Sequence, residues 1–250
     1  MEISSTLARA LICGIVLSIF AGCDPDYPNL QPEDVRVFKI SVGDPGSGAD
    51  STLCLLSVPA GYTPDHSFPL LVSLHGAGSS APAFHDLWRP VTQSSGFLLA
   101  TPQGGELGPD GIGNRWGSNA HESVRRSIDV ILRTANVDRS AIYLAGFSQG
   151  GHLTYALARS YPRVFAGIAA IGVGYDLPLG SDAEALRSIR IYIGHGEREA
   201  GLEDVRGLAD SLRAGGCSVE LAVYRDTGHG IPPPISSELK RVLQFLKKDE

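Results

Sequence analysis

The residues with the clearest chemistry are Gly146-Phe147-Ser148-Gln149-Gly150-Gly151. They follow a short apolar run, Ala141-Ile142-Tyr143-Leu144-Ala145, and precede a helix-compatible stretch that begins His152-Leu153. Strand, tight turn and helix, with Gly-x-Ser-x-Gly at the turn, let a serine take up a strained backbone and hold its hydroxyl clear of the sheet, because its neighbours are small. Ser148 is therefore a candidate nucleophile. It needs a base to take its proton and an acid to orient that base. Thr227-Gly228-His229-Gly230 supplies an imidazole after the last expected strand and before the final helix. That position puts His229 at the carboxyl end of the sheet, above the serine turn.

Attack on a carbonyl also needs donors for the oxyanion. Gln149, the residue after the nucleophile, offers one backbone N–H at the start of its helix, where the dipole favours negative charge. The second donor is expected from His75-Gly76-Ala77-Gly78, whose small residues let the main chain approach a substrate carbonyl. Ala77 fits by position, with Gly78 the alternative. His75 reads as a structural histidine holding this loop, and His152 as a residue pointing aside from the first turn of its helix. Trp116, in Asn114-Arg115-Trp116-Gly117, reads equally as a wall of a substrate pocket or as a plug for a glycine-rich loop.

The elements that must position these groups are legible in the apolar pattern. Val35-Ile40 and Leu53-Val58 alternate as strands on either side of a turn-rich link, Gly43 to Gly48, which predicts an antiparallel hairpin. Leu70-Leu74 and Phe97-Ala100 are continuous apolar runs, as expected of strands buried on both faces of a parallel sheet. Further strands are expected at Phe165-Ile171, Ile189-Ile193 and Val219-Tyr224. Helical spacing appears at Val124, Ile128, Ile131 and Leu132, at Val205, Leu208 and Leu212, and at Leu239, Val242, Leu243 and Leu246. A hairpin followed by alternating strands and helices predicts an α/β domain with a doubly wound, mostly parallel sheet and helices on both faces. Gln103 to Ala120 is the longest irregular stretch, and no insertion is long enough for a large lid domain.

His-Gly-x-Gly after a strand, Gly-Phe-Ser-Gln-Gly-Gly and a late Gly-His resemble the α/β-hydrolase superfamily. Within it they are similar to the phospholipase/carboxylesterase branch, which includes acyl-protein thioesterases, and to secreted feruloyl-esterase and polyhydroxybutyrate-depolymerase-like enzymes. The resemblance runs from about Val35 to the C-terminus. It implies an acid in a His-Gly-x-x-Asp motif after the penultimate strand. Here that stretch reads His195-Gly196-Glu197-Arg198-Glu199, so a glutamate, Glu199, stands at the matching position. Glu197 and Asp176 are alternatives, and Asp226 is close enough in sequence to His229 to be only a local partner. His195 is expected to stabilise the loop.

Residues 1–22 read as an export signal: a short polar start carrying Arg9, then the apolar run Leu11–Phe20. Phe20-Ala21-Gly22-Cys23 resembles a bacterial lipobox, with Phe20 in place of the usual leucine, and predicts lipidation of Cys23. Simple secretion is the alternative. The acidic, proline-rich residues 23–34 read as a tether, and 35–250 as the catalytic domain. The chain is thus expected at a membrane as an exported lipoprotein, periplasmic or on the cell surface.

A formal net charge of −6 and the lack of a basic stripe argue against a nucleic-acid partner. No histidine or cysteine spacing suits a metal, and no cofactor motif appears. Cys54 and Cys217 are expected as two buried free thiols rather than a pair. The leading functional expectation is a serine carboxylesterase acting on small or polymeric esters. A serine peptidase, a polyester depolymerase and a non-catalytic surface-anchored binding module are the competing readings.

Overall fold

The computed structural model describes residues 27–41, 51–108, 111, 113–174 and 183–247. The expected export signal and Cys23 lie outside the described residues, as does Asp176. Among the described residues no helix is long and apolar enough to cross a membrane.

The expected opening hairpin is formed by β1 (Arg36–Ser41) and β2 (Ser51–Ser57), paired antiparallel with Phe38 opposite Cys54. Then come β3 (Phe68–Leu74), α1 (Ala81–Ser95), β4 (Leu98–Pro102), β5 (Glu106–Leu107), β6 (Asn114–Arg115), α2 (Ala120–Thr134) and β7 (Val137–Phe147). The second half adds α3 (Gln149–Ser160), β8 (Gly167–Ile171), α4 (Ala183–Leu186), β9 (Arg190–Gly196), α5 (Leu202–Ala214), β10 (Ser218–Tyr224) and α6 (Ile235–Lys247). Eight strands form one sheet in the order β1-β2-β4-β3-β7-β8-β9-β10. Within this sheet, among the described residues, the β1–β2 and β2–β4 pairs are antiparallel and the rest are parallel.

The apolar runs divide between two faces because successive strand residues point opposite ways. Leu70, Val72 and Leu74 of β3 and Leu144 of β7 join Val124 and Ile131 of α2, Leu157 of α3 and Leu208 and Leu212 of α5 in one core. Leu71, Leu99 and Tyr143 face the other way, onto Phe84, Trp88 and Val91 of α1 and Leu239, Leu243 and Leu246 of α6. Each such side chain contributes about 1.5–3 kcal/mol through burial, so the central strands form a stiff floor under the loops at their carboxyl ends.

Three details depart from expectation. Helix α1 went unmarked in the apolar pattern, although Ser80 caps it by accepting from the Ala83 N–H and Gly96 closes it at φ 76°. The stretch Gln103–Ala120 is not wholly irregular, since β5 and β6 pair within it, Glu106 opposite Arg115. The segment expected as a free tether docks from Leu30 onward. Leu30 is buried in the core, and the carbonyls of Pro32 and Glu33 accept from Arg89 of α1.

Candidate active site

Strand β7 ends at Phe147, and α3 begins at Gln149, so Ser148 alone makes the bend between them. Its backbone has φ 54° and ψ −120°, a conformation that costs a side-chain-bearing residue about 1–3 kcal/mol. The fold holds it there by the Ser148 N–H bond to Ile171 O at 2.8 Å. Small neighbours permit the bend: a Cβ on Gly146 would stand 2.1 Å from Gly150 O, and one on Gly150 would stand 2.1 Å from Leu74 O. The Gly-x-Ser-x-Gly pattern is thus a steric requirement of a strand that turns at once into a helix.

His229 follows β10. Its Nδ1–H donates to Glu199 Oε1 at 2.5 Å, with the Glu199 side chain 12% exposed and that of His229 49% exposed. The ring packs against Phe147, the residue before the serine, at 4.8 Å between centroids. Its Cε1 comes within 3.2 Å of where a Cβ on Gly172 would stand, beside the Ile171 carbonyl that anchors Ser148. The carboxylate fixes the tautomer with Nδ1 protonated, which leaves the Nε2 lone pair as the basic one.

The carboxylates near this imidazole have distinct tasks. Glu197 Oε2 accepts the Asp226 N–H at 2.9 Å and so braces the loop that carries His229, where Asp226 has φ 56°. Asp226 pairs with Arg198 at 2.6 Å. Two further bonds staple the loops, Glu197 N–H to Tyr224 O and Arg198 N–H to Thr227 O, each 2.9 Å. Of Glu197, Glu199 and Asp226, it is Glu199 that bonds the His229 ring.

The loop His75-Gly76-Ala77-Gly78 lies on the serine turn, for a Cβ on Gly76 would sit 3.4 Å from Ser148 Cβ. Ala77 and Gly78 both lie exposed at the surface of the loop, and the Gly78 N–H is occupied, donating to Asn114 O at 3.0 Å. Gln149, as the first residue of α3, has an N–H with no carbonyl four residues earlier in the helix. His75 is fully buried; its Nδ1–H donates to Gly76 O at 2.8 Å and its Nε2 accepts from Gly104 N–H at 2.9 Å. Burial lowers its pKa and keeps the ring neutral in this bridging role. His152 lies on the first turn of α3, where its N–H donates to Ser148 O.

Trp116 is 7% exposed, donates its ring N–H to His75 O at 2.7 Å and stacks on the His75 ring at 4.9 Å. It supports the 75–78 loop from behind. It also borders a cavity of about 120 Å³ shared with Thr52, Glu106, Ser118 and Asn119. Ser148 and His229 are not among the residues lining that cavity.

Two contributors carry no motif. Gln103 Oε1 accepts from Ala81 N–H at 2.7 Å while its amide approaches His75 Nε2, and Asn114 holds Gly78 through its carbonyl and Gly104 through its side-chain amide. Both act through contacts made across the fold, which leave no local signal in the sequence.

Residues 110–236, about half of the chain, match the Dienelactone hydrolase family. Feruloyl esterase B of Neurospora crassa is 26% identical over 185 residues, 60% of this chain and 62% of that protein. Poly(3-hydroxyalkanoate) depolymerase C of Paucimonas lemoignei is 29% identical over 115 residues, 42% of this chain and 28% of that protein. The chain thus spans less than two thirds of the length of these curated relatives. Among solved structures, a ferulic acid esterase superposes with a TM-score of 0.66 at 16% identity, covering 86% of this chain and 98% of that one. The family match spans the positions of Ser148, Glu199 and His229; the chain has the α/β-hydrolase fold and belongs to the dienelactone hydrolase family.

Proposed function

We propose that the chain is a serine esterase that hydrolyses carboxylic esters through an acyl-enzyme, with Ser148, His229 and Glu199 as its triad. The observation that carries this reading is the 2.5 Å bond from His229 Nδ1 to Glu199 Oε1, made by a ring that packs beside the bend at Ser148. His229 Nε2 takes the Ser148 proton as Oγ forms a bond to the substrate carbonyl carbon. The resulting oxyanion accepts from the Ala77 and Gln149 N–H groups, the latter at the positive end of α3. Collapse breaks the bond to the alkoxide, which leaves with the proton held by His229. Water, deprotonated by the same nitrogen, then attacks the acyl carbon; the bond to Oγ breaks, the acid departs and Ser148 Oγ takes the proton back from His229.

A serine-directed fluorophosphonate tests the assignment. It is expected to label Ser148 in the wild type and nothing in Ser148→Ala, with hydrolysis of p-nitrophenyl acetate lost in the same variant. An unlabelled wild type that hydrolyses no short ester overturns it.

Polymeric esters are a second substrate class, favoured by the likeness to a poly(3-hydroxyalkanoate) depolymerase and a feruloyl esterase. The exposed Ala77 and the half-exposed His229 suit a substrate too large to be enclosed. Release of soluble acids from a polyhydroxyalkanoate film or a feruloylated polysaccharide would show which polymer is used.

We further propose that the enzyme is exported and held at a membrane by a lipid on Cys23. The support is the apolar run Leu11–Phe20 followed by Ala21-Gly22-Cys23. Metabolic labelling with a palmitate analogue is expected to mark the wild type and spare Cys23→Ala; label retained in the variant rules the anchor out.

A further inference from the structure

Only one oxygen of Glu199 is used by His229. Oε2 is buried and has no hydrogen-bond partner, and neither do both ring nitrogens of His195, a fully buried residue. These orphans face each other: His195 Nδ1 lies 3.7 Å from Glu199 Oε2. His195 is the penultimate residue of β9, set in register with Val223 of β10, so the sheet holds it rigidly beneath the loop that carries Glu199.

The geometry points to His195 as a positioning residue that donates its Nδ1–H to Glu199 Oε2 and so holds the carboxylate towards His229. This rests on the serine-esterase reading of the site. A carboxylate oxygen sealed from water without a donor costs about 1–3 kcal/mol or more, and His195 Nδ1, itself unpaired, lies 3.7 Å from it. A shift of less than about 1 Å brings 3.7 Å to hydrogen-bond length, and the terminal torsion of a glutamate is soft enough to supply it. The proton belongs on Nδ1. Placed on Nε2 it would leave a donor buried without a partner and turn a lone pair towards a carboxylate.

The donor matters because a glutamate has one more torsion than the aspartate of the His-Gly-x-x-Asp motif that this stretch resembles. Anchored at both oxygens, the carboxylate cannot swing away when His229 becomes charged. His195 touches no substrate, so its loss is felt in turnover and not in binding.

Two variants separate positioning from packing. His195→Leu fills the core and removes the donor; His195→Asn leaves a gap but places an amide N–H where Nδ1 stood. A positioning role predicts that kcat falls on the order of tenfold in His195→Leu, with KM unchanged, and recovers in His195→Asn despite that variant's lower melting temperature. A packing role predicts the reverse order, and that order, or two variants with wild-type kcat, overturns the proposal. The folded wild type gives an independent reading: nitrogen-15 shifts of His195 should report a protonated Nδ1 and a bare Nε2, and the opposite tautomer overturns the proposal. If the wild type hydrolyses no ester, the esterase reading fails while the tautomer still decides the role of His195.

Discussion

Gln149 and Trp116 hold each other by two hydrogen bonds, Trp116 N–H to Gln149 Oε1 and Gln149 Nε2 to Trp116 O, both 3.0 Å long. The residue proposed to offer its backbone N–H to the oxyanion thus gives its side chain to the glycine-rich loop. Trp116 passes the restraint on, since its ring N–H holds the carbonyl of His75 at 2.7 Å. One side chain therefore ties α3, through Trp116, to the 75–78 loop proposed to offer the second donor. Gln149→Ala removes two bonds worth about 1 kcal/mol each while leaving the Gln149 N–H in place. The expected result is a lower melting temperature and a kcat reduced about tenfold, because a 1.4 kcal/mol loss of transition-state stabilisation is a factor of ten. Steady-state hydrolysis of p-nitrophenyl acetate beside a thermal melt checks it. Unchanged kcat would show that Trp116 supports the loop without this tie.

The choice of glutamate at position 199 has a direct test. Shortening it to aspartate withdraws the carboxylate by one methylene, about 1.5 Å, from a bond now 2.5 Å long. Glu199→Asp is therefore expected to lose kcat on the order of a hundredfold. Glu199→Gln keeps the length but offers the amide in place of the charge, and by the triad logic it should lose about 10³–10⁴-fold. Glu197→Gln should stay close to wild type, since its remaining carbonyl oxygen can still accept the Asp226 N–H. Kinetics on the three variants decide the acid; a Glu197→Gln loss larger than that of Glu199→Gln would reassign it.

What the sequence disclosed and what it withheld follow from the range of the forces involved. The serine bend is written locally, because Gly146 and Gly150 must clear backbone atoms within a few residues or across one strand. The strands of the parallel sheet are written in continuous apolar runs, because both faces are covered. The choice between Glu197 and Glu199 is not local. It depends on Arg198 N–H reaching Thr227 O and Glu197 reaching Asp226, contacts between two loops far apart in the chain. The same is true of Ala77 and Gly78, since the carbonyl that engages the Gly78 N–H belongs to Asn114, far along the chain. Helix α1 was hidden for another reason: prolines at positions 82 and 90 interrupt a pattern whose buried face still reads Phe84, Trp88 and Val91.

Acid should weaken the fold through His85. This buried histidine lies 2.8 Å by Nδ1 from Thr101 Oγ1, which is itself 2.8 Å from Ser73 Oγ. Burial, with some help from the charge of Arg89 and against that of Asp86, lowers its pKa from 6.5 to about 4. The unfolded chain therefore binds this proton more readily than the folded one. The stabilisation is complete above about pH 6.5 and is lost progressively as the pH falls towards 4. At 1.36 kcal/mol per pKa unit the full loss is about 3 kcal/mol. Urea unfolding at pH 7, 5.5 and 4.5 is expected to show a steeper decline for the wild type than for His85→Gln, which can still bond Thr101. Parallel declines would mean that other groups carry the acid sensitivity.

The thiols should be inert while the protein is folded. Cys54 and Cys217 are both buried and free. Burial pushes the Cys54 thiol up to about 12, against weaker pulls from Ser127 and Thr101, and raises that of Cys217 against the charge of Arg187. The thiolate is the reacting species, so at pH 8 only roughly one Cys54 in ten thousand is competent, even before access is considered. Ellman's reagent is expected to leave both residues untouched in the native protein and to modify both in guanidinium, with no shift of the melting temperature on adding dithiothreitol. Peptide mass mapping after a short pulse of iodoacetamide assigns any reaction to its residue. Cys217 is the more informative of the two, because its Sγ lies 3.3 Å from Ala183 O, at the start of a short helix. Labelling there under native conditions would show α4 opening away from α5, while labelling of Cys54 would require the β1–β2 hairpin to leave the sheet.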